Sequence, residues 1–193
     1  MTRPLLLDNF SRVLGARSRR TLEPGRRDAA VLVPLLRKED ALHVLFTLRT
    51  EDVPTHKGQV AFPGGVREED DADLIFTALR EAHEEIGLHP SSVDVLGMGD
   101  DAISITGLRV TPVVGWVPAL PSLVLSPREI AEVFTVPLEV LRRPGAVTEQ
   151  TLKAGDGTKR RVPFFEGGPH PIWGLTAWIL RELLNVMDEH DLQ

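Results

Sequence analysis

Between residues 64 and 88, a glycine pair, an acidic stretch and an amphipathic segment follow one another. The apolar residues of the amphipathic segment recur at helical spacing and fall within a band of about 100° on a helical wheel. They are Ile75, Ala78, Leu79, Ala82 and Ile86. The spacing predicts a helix over about 72–86 that ends at Gly87, a residue type common just past helix ends. The apolar side of this helix must pack on another layer, which predicts a fold with a sheet beneath the helix.

Three glutamates lie along one edge of this predicted helix, beside the apolar band. Glu81 and Glu85 are about 40° apart on the wheel, and Glu84 lies about 60° further round beside Glu81. Like charges at this spacing near a helix C-terminus destabilise the helix. A hard divalent cation such as Mg²⁺ or Mn²⁺ prefers oxygen ligands and would compensate these charges. The alternative is an ordinary solvated acidic face. His83 falls on the opposite flank and is expected at the surface.

Composition excludes several classes of protein. The chain has 193 residues, 42% of them hydrophobic, which is enough for one core. It contains no cysteine, which excludes disulfides, thiolate metal sites and cysteine nucleophiles. A formal charge of −6 argues against a nucleic-acid partner. We expect a single domain over residues 1–193, with an N-terminal helix and arm over 1–28 and a core over 29–188.

The apolar runs of the chain are far shorter than the roughly 20 residues that cross a bilayer, so no membrane partner is expected. Near the start, Asp8 interrupts an apolar run too short for a secretion signal. The arginine-rich stretch 3–27 loosely resembles a mitochondrial presequence. A surface helix capped by Asp8 and followed by a polar arm is the simpler interpretation. A cytoplasmic location is therefore expected.

Short apolar segments bounded by turn residues predict the strands. Residues 29–36 and 42–49 form an expected hairpin, with its turn at 37–40. Further strands are expected at 93–98, 108–117, 148–153 and 160–165, and a last helix at about 175–187. This pattern indicates an α/β or α+β fold, with helices packed on a mixed sheet.

The acidic helix resembles the signature of the Nudix hydrolase family, G-x5-E-x7-R-E-U-x-E-E-x-G-U, where U is aliphatic. The matching residues are Gly65, Arg80, Glu81, Glu84, Glu85, Gly87 and Leu88. The chain departs from the signature at Asp71, which holds the first glutamate slot and is separated from Arg80 by eight residues instead of seven, and at the small Ala82. The resemblance implies a Nudix-type α/β/α sandwich around a mixed sheet.

The resemblance also implies a site and a reaction. Family members hydrolyse diphosphates linked to another moiety, with helix glutamates holding Mg²⁺. It assigns metal binding to Glu81, Glu85 and Glu84, and orientation of the acidic cluster to Arg80. The glycines Gly64 and Gly65 would allow a tight loop that approaches the ligand. The implied chemistry is attack of a metal-activated water on phosphorus.

The segment before the helix resembles the coenzyme A diphosphatase branch of the family, whose motif is roughly L-L-T-x-R-[SA]-x3-R-x3-G-x3-F-P-G-G. Residues 45–50 and 58–65 carry this motif, with departures at Phe46, Thr50 and Pro54. The longer spacing in the signature recurs in this branch, and segments 106–115, 133–138 and 172–177 also resemble it. The branch implies cleavage of coenzyme A or acyl-coenzyme A to 3′,5′-ADP and 4′-phosphopantetheine or its acyl derivative.

Three alternatives to this function stay open. A Nudix enzyme could act on another nucleoside diphosphate, such as ADP-ribose or a dinucleotide, although the motif over 45–65 argues against it. The fold also serves non-catalytic ligand sensors, which often lose the helix glutamates that persist here. An acidic interaction module would leave Gly64 and Gly65 without a role.

Basic residues around the glycine loop are candidates for substrate phosphate contacts, because an acidic protein needs a local positive patch. They are Arg49, His56, Lys57 and Arg67, each with a solvated loop as its alternative. A second arginine group, expected to be plain surface, comprises Arg17, Arg19, Arg20, Arg26 and Arg27. Core packing is the simpler role for three aromatic residues that could wall a ligand site: Trp116, Phe134 and Trp173.

The general base that accepts a proton from the attacking water is not assigned by the sequence. Glu84 is the candidate within the helix if Glu81 and Glu85 bind metal. Outside it, Glu129 and Glu132 could approach from a loop or short helix, although acidic residues there also suit a capping turn.

Overall fold

The computed structural model describes residues 2–23, 27–51, 57–153 and 158–192. Over these residues the helices are α1 (Leu5–Ala16), α2 (Leu74–Ile86), α3 (Leu138–Leu141) and α4 (Gly174–Glu189). The longer strands are β1 (Asp28–Lys38), β2 (Ala41–Arg49), β5 (Asp94–Met98), β7 (Arg109–Val117), β8 (Ile130–Pro137), β9 (Val147–Lys153) and β10 (Lys159–Phe165). The short strands are β3 (Val60–Ala61), β4 (Gly64–Val66), β6 (Ala102–Ile103) and β11 (Ile172–Trp173).

The larger of two sheets is mixed. Its central strand β1 runs parallel to β7 from the pair Asp28 and Arg109 to the pair Leu36 and Val117. It runs antiparallel to both β2 and β4. β8 lies on the other side of β2 and β5 on the other side of β7, while a smaller sheet has the order β11-β10-β9.

Alternate side chains of β1 serve two separate cores, as expected from the period of a strand. Leu32 packs in a cluster with Ala78 and Ala82 of α2. Val33 and Leu35 pack in the other cluster, which also contains the buried residues of α1 and α4. The sheet therefore lies between α2 on one face and α1 and α4 on the other, and the predicted α/β/α sandwich is confirmed.

The N-terminal helix begins earlier than the predicted cap at Asp8. Its N-cap is Pro4, and Asp8 lies inside the first turn, where it pairs with Arg3 at 2.6 Å. The earlier start buries Leu7 together with Phe10 and Leu14 on the face toward the sheet. Apolar burial thus decides where the helix begins, and the prediction that Asp8 caps it was wrong.

The strand β8 was not predicted from the sequence, since residues 126–132 suggested a loop or short helix. Phe134 and Val136 are buried, and their alternation with less buried neighbours is the period of a strand. β8 pairs with almost the whole of β2.

No helix in the described parts of the chain is long and apolar enough to span a membrane.

Candidate active site

The ends of α2 are defined by local side-chain and backbone chemistry. Asp73 is its N-cap, and its carboxylate accepts a hydrogen bond from the Phe76 N–H at 2.7 Å. Gly87 ends the helix with a φ of 70°, a left-handed conformation that glycine adopts without strain. Ala78 and Ala82 are fully buried against the sheet, so the edge carrying the glutamates turns toward the glycine loop.

Glu85 is a buried carboxylate whose negative charge is only partly compensated by neighbouring groups. The residue is 3% exposed, and its Oε2 accepts a hydrogen bond from the Gly64 N–H at 3.1 Å. Its Oε1 lies 3.3 Å from Nη1 of Arg49. Burial raises the pKa of the Glu85 carboxyl to about 7, against the opposing effects of the Gly64 N–H and of Arg49.

The two glycines before α2 are required by close contacts. A Cβ atom on Gly65 would lie 2.4 Å from the carboxyl carbon of Glu81. A Cβ atom on Gly64 would lie 2.4 Å from the backbone oxygen of Ala30, because β4 pairs with β1 at this point. The loop therefore lies directly against the Glu81 carboxylate. Burial also raises the pKa of Glu81, and the ion pair with Arg80 opposes this shift.

Arg80 connects the start of the α2 region to the acidic edge. Its Nε and Nη2 donate to the two carboxylate oxygens of Asp71, both at 2.9 Å. Its Nη1 donates to Oε1 of Glu81 at 3.0 Å and lies 3.4 Å from the Glu84 carboxylate. The hydroxyl of Thr77 also donates to Asp71. The hydrogen bonds from Arg80 hold the pKa of Asp71 far below its usual range.

A cavity of about 450 Å³ opens beside this acidic edge. At one end its lining includes Arg49, Glu81, Glu85 and Glu129. The rest of its wall comes from the glycine loop, from β1 and β3, from the connection of β6 to β7 and from the first turns of α4. The residues of these last two segments are Ser104, Ile105, Thr106, Leu108, Gly174, Leu175, Thr176 and Ile179.

Glu84 and Glu132 do not line this cavity, whereas Glu129 does. The Glu84 side chain is 59% exposed, on the outer side of α2. Glu132 lies on β8, where its Oε2 is 2.8 Å from Nε2 of His170. Glu129 lies in the turn before β8, and Thr50 holds this turn: its N–H donates to the Glu129 oxygen and its hydroxyl to the Arg128 oxygen, both at 2.9 Å.

Of the basic residues predicted around the glycine loop, Arg49 is the one that the described structure brings into the cavity lining. Arg67 donates to the backbone oxygens of Asp71 and Ala72 and does not line the cavity. Lys57 is exposed and also lies outside the lining. His56 falls outside the described residues.

The arginines of the N-terminal arm serve the fold rather than the cavity. Arg17 pairs with Asp100 at 2.9 Å, and Arg19 pairs with Asp101 at 2.8 Å. The guanidinium of Arg20 lies over the ring of Trp178 on α4. Arg26 falls outside the described residues, and Arg27 does not line the cavity.

The aromatic residues and the histidine singled out in the sequence also differ in whether they line the cavity. Trp116 is fully buried and Phe134 is 8% exposed, both as core residues. Trp173 lines the cavity and stacks on Phe164, with a centroid distance of 5.8 Å. His83 is exposed, as expected from its place on the helical wheel.

Sequence reasoning missed the walls supplied by the connection of β6 to β7 and by the start of α4. Thr176, for example, donates its hydroxyl to the Val60 oxygen at 3.0 Å and so joins α4 to β3. The family resemblance covered the segments 106–115 and 172–177, which is the signal that could have placed them at the site.

The donor set fits a hard divalent cation. Glu81 and Glu85 present carboxylate oxygens at one end of the cavity, and the pKa of each is raised by burial. Among the described residues, no three Asp, Glu or His side chains form a complete metal site. A cation held here would complete its coordination with water and with a phosphate of the ligand, which is usual for Mg²⁺.

Comparison with known sequences gives a consistent family match. Residues 25–154 match the family model described as NUDIX domain. A protein of Enterobacter sp. (strain 638), named uncharacterized Nudix hydrolase NudL, is 40% identical over 185 residues, which cover 94% of this chain and 95% of that protein. The protein of the same name in Cronobacter sakazakii is 42% identical over 184 residues, which cover 93% and 94% of the two chains.

Comparison with solved structures supports the same fold. A MutT protein from Methanosarcina mazei superposes with a TM-score of 0.55 at 20% identity, covering 89% of this chain and 99% of that one. The Nudix hydrolase RenU from M. smegmatis superposes with a TM-score of 0.52 at 26% identity, covering 61% and 74%.

Proposed function

The chain belongs to the Nudix hydrolase family, enzymes that act on pyrophosphate bonds, and on that premise we propose that it hydrolyses coenzyme A or acyl-coenzyme A. The products would be 3′,5′-ADP and 4′-phosphopantetheine or its acyl derivative. The proposed cofactor is Mg²⁺ or Mn²⁺.

The observation that carries the proposal is where the motif residues 45–50 and 58–65 lie relative to the acidic edge. Thr47 of β2 pairs with Ala61 of β3, and its hydroxyl donates to the Ala61 oxygen at 3.0 Å. This pairing directs Arg49 into the cavity lining and against Glu85. The described part of the motif that resembles the coenzyme A branch thus borders the acidic site, which supports a role for it in substrate selection.

The helix glutamates are the proposed metal ligands. Glu81 and Glu85 would hold the cation, and Glu84, held beside Arg80 at the outer edge, is the third candidate. When bound, such a cation activates water and neutralises charge on the phosphates. Arg80 keeps the Glu81 carboxylate against Gly65, so the position of this ligand is set before substrate binds.

Glu129 is the proposed general base. It lines the cavity together with Glu81 and Glu85, whereas Glu84 and Glu132 do not. Its turn is held by the two hydrogen bonds of Thr50. A carboxylate in this position would accept the proton of the attacking water, and Arg49 would contact a phosphate of the substrate.

Product analysis tests the proposal. The protein is incubated with Mg²⁺ and, separately, with coenzyme A, ADP-ribose and a dinucleoside polyphosphate, and the products are separated by chromatography. We expect 3′,5′-ADP from coenzyme A, formed at least about a hundredfold more slowly by Glu85→Gln prepared in parallel. Rapid turnover of ADP-ribose with intact coenzyme A would overturn the substrate assignment, and tight binding of coenzyme A without any product would indicate a sensor.

A further inference from the structure

The cavity is apolar away from its acidic end. That region of the wall is built largely from aliphatic and aromatic side chains, including Val31, Leu108, Val110, Trp173, Leu175 and Ile179. The hydroxyl of Thr176, which also lies there, donates its proton to the Val60 oxygen, so it has no proton left to donate to a ligand. This end therefore offers apolar contact and little hydrogen bonding to a ligand.

The hydroxyls of the β6–β7 turn are used within the turn itself. Oγ of Ser104 accepts a hydrogen bond from the Leu108 N–H at 2.9 Å and lies 2.8 Å from Oγ1 of Thr106. The Gly107 N–H donates to the Ser104 oxygen at 3.0 Å, with Gly107 at a φ of 84°. These bonds hold the turn in one conformation.

At the tip of this turn, a large apolar side chain is kept in solvent. Ile105 is 84% exposed, and it lines the cavity. Ile103, in the same hairpin, is 41% exposed and does not line the cavity. Exposure of an aliphatic side chain at the edge of a site gives nothing to the fold, but it gives apolar contact area to a ligand.

These features favour an apolar substituent on the diphosphate over a polar one. A sugar that entered the apolar end would leave water and meet mainly aliphatic and aromatic side chains, so most of its hydroxyls would lose hydrogen bonds, which is unfavourable. A hydrocarbon chain would lose water from its own surface and from Ile105, which is favourable.

We propose that the apolar end of the cavity and Ile105 bind the acyl chain of a coenzyme A thioester, so that acyl-coenzyme A is a better substrate than free coenzyme A. Ile105 is then a specificity-determining residue. This inference rests on the proposed function and adds to it the class of thioester that the site prefers.

The test compares chain lengths in two matched variants, Ile105→Ser and Ile103→Ser. The wild type is expected to cleave octanoyl-coenzyme A with a kcat/KM about tenfold above that for free coenzyme A, because apolar contacts are made only by the longer substrate. Ile105→Ser should lose most of this ratio, because its kcat/KM should fall further for octanoyl-coenzyme A than for free coenzyme A. Ile103→Ser should retain the ratio.

The outcomes separate the two proposals. Cleavage of free coenzyme A with no preference for octanoyl-coenzyme A, or an equal loss on both substrates in Ile105→Ser, overturns the inference and leaves the proposed function standing. Loss of the preference in Ile103→Ser as well would assign it to the whole hairpin and would also overturn the role of Ile105. Failure to cleave either substrate, while ADP-ribose is cleaved, overturns the proposed function itself. Thermal unfolding of both variants checks that the exposed substitutions leave the fold intact.

Discussion

At the residue scale, Glu85 combines a proposed metal-binding role with an environment that disfavours its charged form. Its carboxylate is 3% exposed, and the compensation from the Gly64 N–H and from Arg49 leaves its pKa raised to about 7. A buried carboxylate with incomplete compensation is a suitable ligand for a cation, because the cation supplies the missing positive charge.

We predict that Glu85→Gln lowers kcat at least about a hundredfold at ordinary Mg²⁺ concentrations, because the loss of a charged ligand oxygen removes several kcal/mol of charge stabilisation. Steady-state assays with coenzyme A measure this. The exposed Glu189→Gln serves as the control and should keep wild-type turnover. Near-normal turnover of Glu85→Gln would contradict the ligand assignment.

The same residue predicts a pH dependence of stability in the metal-free protein. Since the pKa of Glu85 rises from 4.5 to about 7 on folding, the folded state binds the proton more tightly, and stability falls as pH rises through this window. With EDTA present, Glu85→Gln should match the wild type near pH 4.5 and unfold at a higher temperature at pH 8. Identical pH profiles for the two proteins would show that ionisation of this carboxyl does not destabilise the folded state.

At the element scale, the Arg80–Asp71 pair ties the loop before α2 to the acidic edge of the helix. Asp71 is buried and accepts from Arg80, from Thr77 and from the Glu68 N–H. The signature departs from its usual form at this position, yet the aspartate reaches the arginine with both oxygens. The contacts of Arg80 with Asp71 and Glu81 therefore orient Glu81, a proposed metal ligand, within the element itself.

We predict that Asp71→Asn destabilises the protein by about 3 kcal/mol, because it removes one partner of a buried ion pair, and lowers kcat about tenfold or more through displacement of Glu81. The lowered pKa of Asp71 sets the sign of the pH effect. Its contribution is fully present above about pH 4 and is lost as pH falls further, so the difference from the wild type should shrink toward pH 3. Urea unfolding across this range measures it, with the exposed Asp70→Asn as the control. A constant difference down to pH 3 would count against the ion pair.

At the scale of the whole molecule, Asp101 anchors the N-terminal arm to the sheet. It is 2% exposed and accepts hydrogen bonds from Thr111 of β7 at 2.6 Å, from Arg19 at 2.8 Å and from the Leu22 N–H at 3.0 Å. Burial alone would raise its pKa, but these three bonds outweigh burial and lower it. The arm is thereby linked to the segment just before β6 and, through Asp101, to β7.

We predict that Asp101→Asn lowers stability by about 2 kcal/mol, or about 5 °C in Tm for a chain of this size, because three donors lose a charged acceptor. Limited proteolysis with trypsin should then cut after Arg17, Arg19 or Arg20 sooner than in the wild type. The exposed Asp94→Asn should change neither result. Unchanged cleavage in Asp101→Asn would show that other contacts hold the arm.

Local patterns determined much of what the sequence predicted correctly. The helix α2, the edge that carries Glu81 and Glu85, and the terminal Gly87 all follow from residues within a few positions of one another, since helical period and capping are local effects. The strand β8 was missed because the signal at Phe134 and Val136 is short, and its pairing partner β2 lies far away in the chain.

The tertiary structure alone decided which residues meet at the cavity. It brought Arg49 and Glu129 to the acidic edge and left Arg67 on backbone oxygens and Glu132 on His170. It also added Ile105 and the first turn of α4 as walls. These positions depend on strand pairing and on packing between segments distant in sequence, which no local pattern of charge or hydrophobicity specifies.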